Sequence, residues 1–306
     1  MSELPDLFPG FKRHSVDVNG VTIHARSSGK GPPLLCLHGY PQTHACWHKV
    51  APRLAETNTV VAMDLRGYGE SSVPRSSDDH TAYSKRAMAA DAVSLMRHLG
   101  FERFTVAGHD RGGRVAYRLA LDSPEAVERL ILLDILSTLD NWERMRAASA
   151  LKSYHWAFLA QPHPLPETLI NAHPAYYLEH TLASWTKDKT LAAIDSDALI
   201  HYRASVSDPA RVHAFCEDYR AGATYDWQAD RASREAGEKI GVPVHVLWSS
   251  HYLNASKGTF DPVETWREWA RDVTGTEIDS GHFLAEENPE ATATAMLNFL
   301  AARPLS

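Results

Sequence analysis

Gly108-His109-Asp110-Arg111-Gly112 follows an apolar run and precedes a stretch with helical periodicity, 111–122. Small residues on either side of a central acid fit a strained strand-to-helix turn that holds one side chain out as a nucleophile. Serine at such a turn attacks carbonyl carbon. A carboxylate attacks saturated carbon instead and is left as an ester. No G-x-S-x-G occurs elsewhere in the chain. Asp is also a preferred helix N-cap, so Asp110 taken alone reads as either a nucleophile or a cap. Its companions favour the nucleophile.

The first companion is His282, in Asp279-Ser280-Gly281-His282-Phe283 near the C-terminus. A His on the loop after the last strand can serve as general base, since imidazole exchanges protons near neutral pH. The order nucleophile, acid, base along the chain fits as well. The acid is less plain. The stretch from Trp248 to Asn254 holds no carboxylate, and the next is Asp261. Asp134, by contrast, ends the apolar run Glu128–Ile135, on the strand edge where α/β sites form. Asp134 is assigned to orient His282, with Asp261 as the alternative.

His38-Gly39-Tyr40-Pro41 follows another apolar run. The loop at this place donates one backbone N–H to an oxyanion hole, and the residue after the nucleophile donates the other. The expected donors are Tyr40 and Arg111, since Pro41 has no N–H. Arg111 and Arg114 are three residues apart and can share a helix face. Two guanidinium groups beside a catalytic carboxylate serve no purpose for a neutral substrate. They make sense if the substrate brings a carboxylate of its own, which Arg can grip with two parallel hydrogen bonds.

These residues need a scaffold that brings strand ends together. Residues 15–28 read as a hairpin around Asn19-Gly20. The apolar runs 32–39, 59–65, 104–110, 128–135 and 242–249 read as strands buried on both faces, with helices over 43–55, 83–99 and 111–122. Such alternation predicts an α/β architecture with a mostly parallel sheet flanked by helices. It stops between about 138 and 235, a stretch rich in Trp, Tyr, His and Arg that reads as an inserted helical cap. The expected organisation is a core over 1–137 and 236–306, with the cap at 138–235. A helix over 262–272, a short strand and a final helix over 289–302 close the core, with Pro289 suited to a first turn.

Composition excludes several classes. With 306 residues the chain suits one large domain with an insertion. A net charge of −7 without a Lys/Arg cluster argues against nucleic-acid binding. No apolar run is long enough for a membrane span. The opening residues lack the pattern of a secretory leader. Cys36, Cys46 and Cys216 have no ligand or disulfide spacing and suggest free thiols in a reducing cytoplasm. No HExxH or similar metal spacing is present, so no metal or organic cofactor is expected.

With Asp110, His282, Asp134, HGYP and HDRGGR in hand, the chain resembles the fluoroacetate dehalogenases of the α/β-hydrolase superfamily over nearly its whole length. The resemblance implies an aspartyl-ester mechanism on a small haloacid, with Arg111 and Arg114 on the substrate carboxylate. It implies a halide pocket of His155, Trp156 and Tyr219, with Trp185 lining the substrate passage, and a homodimer. Haloalkane dehalogenases and epoxide hydrolases usually carry Trp where this chain has Arg111. Tyr40 stands where family members often have Phe, and region 249–256 departs from the family pattern. Adjacent helix positions point about 100° apart, so His155 and Trp156 converge only if the pocket meets their helix near an end. The alternative reading is an epoxide hydrolase with the same Asp-His-acid set and Tyr154 and Tyr219 as acids. A fold retained for binding alone is the more distant one.

Overall fold

The computed structural model describes residues 4–253 and 261–302. Eight strands form one sheet: β1 (Lys12–Val18), β2 (Val21–Ser28), β3 (Pro33–Leu37), β4 (Thr59–Met63), β5 (Phe104–His109), β6 (Val127–Leu133), β7 (Val244–Ser249) and β8 (Val273–Ile278). The spatial order is β1-β2-β4-β3-β5-β6-β7-β8. β1 and β2 run antiparallel, as do β2 and β4, and the other pairs are parallel. The hairpin turns at Asn19 and Gly20, with φ of 49° and 77°, so both central residues take the left-handed conformation that matches strand twist.

Strand burial follows the apolar runs. All six residues of β5 are buried, as expected of a central parallel strand covered on both faces. Helix Lys85–His98 packs near helix Arg111–Asp122, which follows β5 and contacts β5 and β6. After β3 the chain moves outward to β4, then returns to the other side of β3 as β5. The crevice at such a reversal, beyond the carboxyl ends of the strands, is where α/β sheets bind ligands. The loops after β3, β5, β6 and β8 open on that edge and carry Tyr40, Asp110, Asp134 and His282.

Among the described residues, eight helices and no strand lie between β6 and β7, from Thr138–Glu143 to Tyr225–Glu235. Two local expectations needed revision. The segment 43–55 is a 3-10 turn, His44–Trp47, and a separate short helix, Ala51–Leu54, with Pro52 in its first turn. The helix expected over 262–272 stops at Arg267, because Ala270 bridges to Ile240 and β8 begins at Val273. A short helix, Leu284–Glu287, precedes the final helix Pro289–Ala302. No described helix is long and apolar enough to cross a membrane. The three cysteines are buried free thiols.

Candidate active site

Asp110 sits between β5 and the helix Arg111–Asp122, with φ 47° and ψ −117°. This strained conformation for a non-glycine residue is the elbow. Its side chain makes no capping hydrogen bond to the helix, so the cap reading of Asp110 is set aside. The glycines are required by space. A Cβ on Gly112 would lie 2.2 Å from the carbonyl oxygen of His38, and one on Gly108 would lie 2.4 Å from that of Gly112.

The backbone N–H of Tyr40 donates to Asp110 Oδ1 at 2.8 Å. His282 Nε2 faces Asp110 Oδ2 at 3.7 Å, too far for a hydrogen bond and near enough for charge interaction. On its other side, His282 Nδ1 lies 2.7 Å from Asp134 Oδ2. Asp134 Oδ1 accepts from the Ser249 N–H at 2.8 Å and the Ser249 hydroxyl at 2.6 Å. Asp261 instead caps its own helix, accepting from the Val263 N–H at 2.8 Å. Of the two carboxylates left open by the sequence, Asp134 is the one placed against His282, and Asp261 is placed at its own helix.

The electrostatics follow from this crowding. Burial opposes charge on His282, yet the flanking carboxylates of Asp110 and Asp134 overrule it and hold its pKa up at about 9. Burial likewise opposes ionisation of Asp110, but His282 and, more weakly, His109 and Arg114 hold it well below the usual carboxylate range. The loop bearing His282 is clamped. Its backbone N–H donates to Trp185 O at 2.9 Å, and Glu287 accepts from the N–H groups of Gly281 and Phe283, both at 2.9 Å.

The two arginines are not equivalent. Arg111 is fully buried and tied to Asp218, with Nη2 to Oδ1 at 2.6 Å and Nε to Oδ2 at 3.1 Å. Asp218 also takes Lys85 and the Tyr68 hydroxyl. Only Nη1 of Arg111 is left without a partner. Arg114, also buried, has no carboxylate partner among the described residues. Its Nη1 donates to Leu136 O at 2.7 Å, and its Nε is unpartnered. Burial and the charge of Arg111 pull its pKa below the ordinary arginine value. Trp156 covers it, with the guanidinium carbon 4.3 Å from the ring centre.

A cavity of about 500 Å³ joins Asp110, Arg114, Asp134, His155, Trp156 and His282. Trp185 also lines it, 4.4 Å from the His155 ring and 5.4 Å from the His282 ring. His155 and Trp156 converge because they sit in the first turn of a short helix, Tyr154–Leu159. Tyr219 and Arg111 are not among the residues lining the cavity. The Tyr219 ring still meets both His155 and Trp156 at 5.8 Å, and its hydroxyl is buried without a partner, as is His155 Nδ1. Burial drives the His155 pKa down to about 3, so the ring is neutral. Tyr154 is exposed and does not line the cavity. Of region 249–256, residues 254–256 lie outside the described residues.

Four contributors were given no role from the sequence. Asp218 and Ser249 are far along the chain from the groups they hold. His109 Nε2 lies 2.8 Å from the carbonyl of His282. Tyr252 places its ring 4.5 Å from the His282 imidazole. Only the adjacency of Asp218 to Tyr219 could have drawn notice to it.

Comparison with known proteins places the chain in a family. Residues 32–289 match the family model described as alpha/beta hydrolase fold. A fluoroacetate dehalogenase from Burkholderia sp. is 42% identical over 96% of this chain and 95% of its own length. A soluble epoxide hydrolase from Corynebacterium sp. (strain C12) is 33% identical, covering 94% of this chain and 96% of its own. A solved α/β-hydrolase candidate from Nostoc sp. PCC 7120 superposes with a TM-score of 0.92 at 50% identity, covering 96% of this chain and 99% of that one. The elbow, the sheet and this likeness together make the chain an enzyme of the α/β-hydrolase superfamily, and a member of its haloacetate dehalogenase family.

Proposed function

We propose that the protein is a hydrolytic dehalogenase that converts fluoroacetate or another small 2-haloacid to the 2-hydroxy acid and halide. The observation that carries this reading is Arg114, a buried guanidinium with no carboxylate partner among the described residues, on the same cavity as Asp110. A buried cation without a partner is costly unless a ligand supplies the anion. A 2-haloacid supplies it, with its halogen-bearing carbon next to the anchored carboxylate.

Asp110 Oδ2 attacks that carbon in line and halide leaves. His155, Trp156 and Tyr219 offer N–H and O–H donors for the departing halide. Water, activated by His282, then adds to the ester carbonyl. The oxygen held by the Tyr40 N–H is the one on which negative charge develops, and the Arg111 N–H is the second donor proposed. Esterification removes the negative charge of Asp110, which lowers the pKa of His282 and turns it into a base at the step that needs one. We read residues 138–235 as a cap that closes the site. The family likeness supports a homodimer, and the three free thiols fit a reducing cytoplasm.

The test is halide release from fluoroacetate and chloroacetate, with an aryl epoxide in parallel. A single turnover with enzyme in excess in H₂¹⁸O is expected to label Asp110 and leave the first 2-hydroxy acid unlabelled. Label in that product overturns the covalent route. An epoxide hydrolase is the second reading, since Tyr252 lines the cavity beside His282. Epoxide opening without halide release would establish it and leave Arg114 without a role.

A further inference from the structure

The cavity is larger than a haloacetate needs. Pockets of ~300–1,000 Å³ enclose drug-sized ligands, and this one measures about 500 Å³. Its floor is formed by the buried Asp110, Arg114, Asp134, His155, Trp156 and His282. Its mouth is formed by the exposed residues Arg144, Arg146, Ala148, Ser149 and Lys152. The protein carries a net charge of −7, yet this rim is cationic.

The rim cations differ in what they hold. Arg144 faces Asp140 and Glu268, each at 3.7 Å. Lys152 has no carboxylate partner among the described residues, and the segment 254–260 contains no Asp or Glu that could supply one. Lys152 Nζ donates to the Tyr252 carbonyl at 2.5 Å and stands 4.2 Å from the centre of the Tyr252 ring. That ring lies 4.5 Å from the His282 imidazole. The ammonium group is thus held one aromatic ring away from the base. It makes one hydrogen bond to protein and has three N–H donors to give.

We propose that Lys152 is a second anion subsite, and that the enzyme takes 2-halo-dicarboxylates of the halosuccinate and haloglutarate class. This rests on the dehalogenase reading above. The carboxylate next to the carbon–halogen bond binds at Arg114, and the distal one, one or two methylenes further on, reaches Lys152. The chemistry is unchanged. Asp110 forms a C–O bond to C2 as the C–X bond breaks, and halide leaves with the electron pair. Water oxygen then joins the ester carbonyl carbon. One of its protons passes through His282 to the alkoxide oxygen as the 2-hydroxy-dicarboxylate departs. The other is released as the Asp110 carboxylate re-forms.

The experiment measures bromide release from bromoacetate, 2-bromobutanoate and bromosuccinate. The last two differ in a methyl group against a carboxylate at the far end. The wild type is expected to favour bromosuccinate in kcat/KM by about fivefold at low salt, the scale of one half-exposed ion pair. Lys152→Met is expected to erase that ratio and Lys152→Arg to restore it. Equal rates on the two larger acids, or a ratio unmoved in Lys152→Met, overturn the subsite while bromoacetate turnover leaves the dehalogenase reading standing. No bromide from any of the three overturns both.

Discussion

Tyr40 donates its backbone N–H to Asp110 Oδ1 at 2.8 Å, so one oxygen of this carboxylate already has a partner. Oδ2 points to the side where His282 stands, and it is the oxygen that attacks in the mechanism proposed above. The two oxygens of one carboxylate therefore have different surroundings, set on one side by the loop after β3.

That division depends on Gly39. A Cβ there would lie 2.4 Å from Asp110 Cβ and 2.6 Å from Oδ1. Gly39→Ala is expected to displace the carboxylate and lower kcat by ~100-fold, the usual scale for a misplacement of about 1 Å. Single-turnover halide release well below the melting temperature measures it. Thermal unfolding should show a loss of only ~1–3 kcal/mol, the cost of overpacking.

Arg111 and Arg114 should separate when each is changed to Met. Arg111→Met leaves Asp218 buried with only Lys85 and Tyr68 to satisfy it. A loss of ~3 kcal/mol in stability is expected, the low end for breaking a buried pair. Arg114→Met removes a cation with no carboxylate partner among the described residues, so stability is expected to hold or rise. Its kcat/KM on haloacetate should fall by ~100-fold, the scale of a charge-assisted bidentate contact. Denaturant unfolding and steady-state kinetics on both variants decide it. Equal stability losses would refute the asymmetry.

The His282 pKa is held up at about 9 by Asp110 and Asp134. A raised folded-state pKa stabilises the fold at low pH, and that contribution is lost as pH rises through about 9. In Asp110→Asn a neutral amide replaces one of the two carboxylates, and the His282 midpoint followed by NMR is expected to move down. The stability difference between the wild type and this variant should shrink above pH 9 for the same reason. An unmoved midpoint would mean that Asp134 alone sets the base, and that esterification does not retune it.

Tyr219 contributes a buried hydroxyl without a partner. Fluoride leaves poorly and needs hydrogen bonds as its charge develops, whereas bromide needs them less. Tyr219→Phe is expected to slow release from fluoroacetate by about tenfold and from bromoacetate far less, the scale of one hydrogen bond to a charged group. Equal slowing would remove Tyr219 from the halide site.

Much of this protein is local in its sequence. The elbow needs glycines two residues either side of Asp110, the hairpin needs Asn19-Gly20, and buried parallel strands need unbroken apolar runs. Each rule acts over a few residues, so the strands, the elbow at Asp110 and the loop that carries His282 could be read directly, as could the helical stretch between β6 and β7. Short-range rules failed where neighbours intruded, as at 43–55, where one apparent helix is two pieces. Tertiary structure alone tells Asp134 and Asp261 apart in position, because both suit a loop and only the first reaches His282. It also separated two arginines of identical type three residues apart. Asp218, 107 positions from Arg111 in the chain, neutralises one and leaves the other facing the cavity. Charge pairing at that separation leaves no periodic trace, since the chain between the partners is free to take any length the fold can close.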